Sequence, residues 1–277
     1  MKKIITYITF AIMVCSCSGQ EKEKNKNSTE KVIYPKEKVM NTERFDTKRF
    51  ENYPDVISME DEKTLPSKKE VLADGTVIEY SFWDNEEDNG KTYYSKIITP
   101  KPPALFKIVK DFYPSGVIQR ESEMFVGNLI IEPFNGSLTI KDYDHKGYLL
   151  KTTDYSDFDK NLKIRFHDLL KMISAEPMIT ENFVKKNQEN LSSGLFHNPQ
   201  IKDLTAEKII AELKSEDCNG KILNANNDSD RKNIKISLER EIWLVTKDIY
   251  PRGFWEYKIN GNTGNILDVT YIKDNRP

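Results

Sequence analysis

Cysteine is nearly absent: the 277 residues contain three, Cys15 and Cys17 at the start and Cys218 far behind them. So few thiols cannot build a disulfide framework, so packing has to hold the body together. Histidine is equally scarce. Residues 145, 167 and 197 stand alone, with no His-Glu-x-x-His pair and no Cys/His spacing for a structural zinc, and neither a metal nor any other cofactor is expected. No Gly-x-Gly-x-x-Gly, no phosphate-binding Gly-x-x-x-x-Gly-Lys and no Gly-x-Ser-x-Gly elbow occurs. Cys218 follows Glu216-Asp217, whose charges disfavour a thiolate and hence a nucleophile. Basic residues do not dominate, 42 against 44 acidic, so nucleic acid is not an expected partner. The longest uncharged apolar run, Ile4 to Val14, is too short to span a bilayer, which takes roughly 20 residues.

Lys2 and Lys3 ahead of Ile4 to Val14 have the basic start and short apolar centre of a secretory signal. The run ends in Val14-Cys15-Ser16-Cys17, which resembles the lipobox of bacterial lipoproteins. The resemblance implies cleavage after Ser16, a diacylglycerol on the Cys17 thiol and an acyl chain on its freed amine. Two or more chains hold a protein stably to a membrane. Ser18 in place of aspartate implies an outer-membrane destination, facing either the periplasm or the outside. Removing 16 residues from 277 leaves 261, and removing Lys2 and Lys3 moves the formal charge from −2 to −4.

Residues 17–65 are polar and broken, with no apolar side chain in Gln20 to Asn27, and read as a disordered tether. Tyr34, Phe45, Phe50 and Tyr53 are scattered through it without a period, and part of this stretch could dock on the domain behind it. Residues 66–177 read as a hairpin-rich β domain. Asp74-Gly75, Ser115-Gly116 and Lys146-Gly147 each sit at a turn leading into a strand, where glycine supplies positive φ. Leu162, Phe166, Leu169, Leu170 and Ile173 recur at helical steps and predict a helix over 161–175, closed by Pro177. His167 beside that stripe reads as surface or packing. Residues 178–277 read as a second, smaller domain: a polar connection, a helix capped by Thr205, and strands over 234–245, 254–259 and 266–272. The fold class is α+β. The acidic run 84–89 lacks the alternation of a calcium loop, and 226–230 has Asn226, Asp228 and Asp230 at alternate positions but no following glycine or closing glutamate, so both read as solvated hairpin loops.

The aromatic-x-x-x-Gly hairpins over about 71–158 loosely resemble MORN-like families, including an antitoxin group, although glycines 75, 116 and 147 keep no fixed period. Trp243-Leu244-Val245 and Tyr257-Lys258-Ile259-Asn260 running into Thr263-Gly264-Asn265-Ile266 resemble the PepSY-like family over 203–273. That resemblance implies a small non-catalytic envelope domain that binds partners. The combined expectation is a lipid-anchored, non-enzymatic binding module for a peptide, protein or glycan. Trp83, Tyr93, Tyr94 and Trp255 are its candidate binding residues, with core packing the competing reading for Trp243 and Trp255. An immunity-type protein that neutralises a toxin is the first alternative. The second is a hydrolase with a carboxylate pair, a chemistry that needs only two of the many acidic residues across a cleft.

Overall fold

Three hairpins in the first half turn by one rule. The amides of Gly75, Gly116 and Gly147 donate to the carbonyls of Leu72, Tyr113 and Asp144, and the amides of those three residues donate to Thr76, Val117 and Tyr148. A computed structural model describes residues 30–50, 67–85, 88–131, 136–175, 181–187, 221–249 and 253–273. These turns link much of an eight-stranded antiparallel sheet, with β1 (Lys31–Ile33), β2 (Ser67–Val71), β3 (Val77–Asn85), β4 (Lys91–Thr99), β5 (Phe106–Phe112), β6 (Ile118–Phe125), β8 (Ser137–Tyr143) and β9 (Leu149–Asp154). The spatial order is β1-β9-β8-β6-β5-β4-β3-β2, a meander closed at one edge by the strand that comes first in the chain.

The missing number is the link to the rest. β7 (Asn128–Ile130) leaves the meander and pairs in parallel with β10 (Ile234–Glu239). With β11 (Ile242–Ile249), β12 (Gly253–Asn260) and β13 (Ile266–Lys273) it forms a second sheet in the order β13-β12-β11-β10-β7. The helices α1 (Phe166–Ala175), α2 (Glu181–Lys186) and α3 (Asp228–Asn233) complete the α+β fold.

Several expectations change here. The helix begins at Phe166, because the Asp159 carboxylate accepts from the Phe166 amide and caps it there. Its stripe of Phe166, Leu169, Leu170 and Ile173 is buried as the spacing predicts. It packs on the second sheet, however, sharing one core with Trp243, Val245, Trp255 and Tyr257, and Phe125, Leu129 and Leu138 from the meander join them. The boundary drawn at 177 therefore separates a helix from its own core. The strand read over 234–245 is two strands, because Arg240, at φ 58°, turns the chain between Glu239 and Ile242. Residues 226–230 are only in part a loop: the Asn227 side chain caps α3, which begins at Asp228, and Asp230 is buried against the Lys247 ammonium. The Thr205 helix and Cys218 lie outside the described residues.

The tether shortens as well. Residues 39–47 cross two of the hairpin turns: the Asn41 amide donates to the Gly147 carbonyl at 2.9 Å and the Phe45 amide to that of Gly116 at 2.8 Å. Both glycines need their positive φ, and a Cβ on either would meet the crossing backbone, 2.6 Å from the Asn41 carbonyl oxygen and 2.9 Å from that of Phe45. Phe45 sinks into a second core with Tyr80, Phe112, Ile118 and Tyr143. Beside it Glu43 accepts from Lys96 at 3.0 Å and Lys110 at 2.5 Å, and Glu121 bridges Lys110 to Lys141. A polar composition predicted disorder to residue 65 with part of the stretch docking; the docked part is this strap, held by one aromatic, one carboxylate and two backbone hydrogen bonds.

That ion chain makes the strap acid-sensitive. Burial raises the Glu43 pKa, but the hydrogen bonds and charges of Lys110 and Lys96 outweigh it and hold the carboxyl below its ordinary value. A carboxylate depressed in the folded state adds stability above its unfolded pKa, about 4.3, and loses it as pH falls through the folded value. Cleavage within 39–47 by an acid-active protease should therefore rise below about pH 4, and Glu43→Gln should show that sensitivity already at neutral pH.

Candidate functional site

On a pleated sheet alternate residues share a face, so the strand register assigns each side chain a row. The strap covers the face that carries Tyr80, Tyr94 and Phe112. On the opposite face the pairings Ser81↔Ser95, Ser95↔Asp111, Asp111↔Arg120, Arg120↔Asp142 and Asp142↔Lys151 line up one polar row across six strands. Its members change from hydroxyls near β2 to alternating charges near β9. One row nearer the hairpin tips, Trp83 pairs with Tyr93. Their rings stack at 5.9 Å and 22°. Tyr113, just past β5, falls in the same row, and its ring lies 4.0 Å from that of His145 on the next turn but one. At 4.7–4.9 Å per strand this aromatic row runs about 20 Å across the strands.

Both tyrosines are held through their hydroxyls. The Tyr93 hydroxyl donates to Asp88 at 2.8 Å, and Asp88 also takes Lys91 at 2.9 Å. The Tyr113 hydroxyl donates to the Tyr143 carbonyl at 2.9 Å. The hydrogen bond to Asp88 raises the Tyr93 pKa, so this hydroxyl stays protonated. Hydrogen bonds from Lys91 and then Tyr93 hold Asp88 below its ordinary value. In the polar row Arg120 holds Asp142 at 2.8 Å, and Lys151 approaches the same carboxylate at 3.5 Å. Asp111 differs: burial raises its pKa against the pull of Ser95 and Arg120, leaving a half-sunk carboxyl that is easier to protonate. Ser95 and Ser122 are buried between larger neighbours.

The predicted residues separate. Trp83 and Tyr93 come together in the tip row. Tyr94, one residue on, points to the strap side and stacks on Phe45 at 4.7 Å and 21°. Trp255 is fully buried under the second sheet, edge-on to Tyr271 at 5.4 Å, and has no face to offer a partner. Trp243 is buried as well, its indole N–H donating to the Ile164 carbonyl. His167 stacks on Phe106 at 5.5 Å, as a packing residue would. Cys17 lies outside the described residues. Sequence reasoning missed Tyr113, His145, Asp111, Arg120 and Asp142. The first two flank the glycine turns already recognised, and that position was the signal that could have found them. Among the described residues no group of acidic, histidine or cysteine side chains could hold a metal ion, and no helix is long and apolar enough to cross a membrane.

No family model matches the chain, and no curated protein matches it. A solved structure, the Bacillus megaterium YpeB C-terminal domain, is similar at 11% identity over 71% of this chain and 90% of its own, with a TM-score of 0.14. A superposition that loose bears on neither fold nor function.

Proposed function

We propose that this is a lipid-anchored envelope protein that acts by binding, and that its ligand is a neutral glycan chain lying across the hairpin tips of the eight-stranded sheet. The observation that carries the reading is the stacked Trp83–Tyr93 pair one row from the Ser95–Asp111–Arg120–Asp142 row on the same face. A pyranose presents an apolar C–H face and an equatorial rim of hydroxyls. Aromatic rings suit the first and hydroxyl, carboxylate and guanidinium groups the second. Because Asp88 is matched by Lys91 and Asp142 by Arg120 and Lys151, the strip carries little net field, which favours an uncharged polymer. A peptide added as an extra strand is less well served. β1 already occupies the β9 edge, and β2 carries Lys68 and Lys69, the kind of charge that blunts edge pairing.

Titration of the full chain with neutral oligosaccharides tests the reading, with Trp83→Ala as the comparison. Equal affinity for both proteins would overturn it. A carboxylate-dependent hydrolase is the second reading, favoured by one observation: Asp111, its pKa raised by burial, stands two strands from Asp142, which is paired with Arg120. Its mark would be turnover of the same oligosaccharides that disappears in Asp111→Asn.

A further inference from the structure

The edge of the sheet nearest the tether is unusually apolar. Of the ten exposed large apolar side chains among the described residues, six belong to it: Val32, Ile33, Tyr34, Val39, Met40 and Leu150. They are close in space because residues 31–40 run back along β9. Ile33 pairs with Thr152, the Leu149 amide donates to the Val39 carbonyl, and Met40 bridges Tyr148. Leu150 is the extra residue of the bulge where Asp142 pairs with Lys151 and Tyr143 with Leu149. Tyr34, at 71% exposed, stands furthest into solvent. An apolar patch of this kind on a protein surface marks a binding face.

Its surroundings indicate what it meets. Lys31, Lys36, Lys38 and Lys146 lie along it with Glu30, Glu37, Asp144 and Asp154, and the Lys38 ammonium lies 5.7 Å from the Tyr148 ring centre. Apolar side chains ringed by long cationic ones suit the boundary between acyl chains and phosphate headgroups. Glu30, at the start of this edge, is only 13 positions from Cys17, so at 3.3–3.6 Å per step it can be no further than about 45 Å from the anchoring lipid. A surface tethered that closely meets the bilayer at high effective concentration, and a weak interfacial contact is enough to hold it.

We infer that the β1–β9 edge lies on the bilayer that holds the lipid anchor, seating Tyr34 and its apolar neighbours at the headgroup boundary. The inference rests on the lipid-anchor reading. The aromatic row, which ends at His145 beside this edge, then rises from the membrane and carries its Trp83 end outward.

The test uses full-length chain expressed in a bacterial envelope with clickable palmitate, then reconstituted in vesicles of phosphatidylethanolamine, phosphatidylglycerol and a brominated phosphatidylcholine. Two variants report position, Tyr34→Trp at the edge and Val71→Trp at the far end of the same sheet. Bromine should quench the added fluorescence at position 34 by about twofold and leave that at position 71 unchanged, since the interface takes side chains to 5–10 Å depth. Palmitate label with equal quenching at both positions, or at neither, overturns the inference and leaves the anchor standing. Absence of label from a chain containing Cys17 removes the anchor and the inference with it.

Discussion

Alanine at Trp83 or at Tyr93 is expected to weaken glycan binding about 30-fold, the roughly 2 kcal/mol typical of an aromatic anchor at the centre of a contact. The two rings face each other at 5.9 Å, so each fixes the other's orientation as well as offering its own face. Losing one therefore disturbs its neighbour, and the double variant should fall short of the product of the single effects. Tyr94→Ala is the matched control. It removes a neighbouring tyrosine from the same strand, but one whose ring lies on Phe45 under the strap. Affinity there should stay within about twofold while stability falls, by the cost of cavity formation in a core. Calorimetric titration of the unmodified protein and these four variants with one neutral oligosaccharide separates the faces. Unchanged binding in the Trp83, Tyr93 double variant would sink the glycan reading whatever the other proteins show.

The second large effect is on stability. Phe45→Ala should cost about 3 kcal/mol, the lower range for truncating a buried phenylalanine. The ring is 7% exposed, stacks on Tyr94, and lies 5.3 Å from Phe112 and 6.0 Å from Tyr80. With a urea dependence of about 2 kcal/mol per molar, the midpoint should drop by about 1.5 M. Because Glu43 and the two backbone hydrogen bonds across the turns hold the same segment, the strap should also open to proteases before the sheet unfolds. A midpoint shift below about 0.25 M would mean the strap contributes no more than a surface substitution.

Hairpins, α1 and the α+β class were legible because each is written locally. A glycine at a turn or an apolar side chain every three or four residues carries its meaning without distant partners. The surface α1 packs against was not legible, since an amphipathic stripe names a face but not its counterpart. The polar row shows the same limit more sharply. Asp111, Arg120 and Asp142 lie on three strands and meet only through register, which bulges at Asp111/Phe112 and Asp142/Tyr143 shift by one residue close by. Trp255 could have been read better. Glu256 and Lys258 alternate with Trp255, Tyr257 and Ile259, and that alternation already assigns the tryptophan to the inner face. Docking of part of 30–50 was legible from its scattered aromatics, but which of them docks was not: Tyr34 and Phe45 look alike in sequence, and only Phe45 is buried.

The pairing of β1 with β9 also fixes an order of events. Lys31 meets Asp154, so a strand made near the start of synthesis finds its partner only after more than a hundred further residues have been added. Closing so long a loop is entropically costly until the intervening hairpins have shortened it. β1 is thus among the last strands of this sheet to settle, and its place is held open until β9 has been made and the hairpins between them have formed.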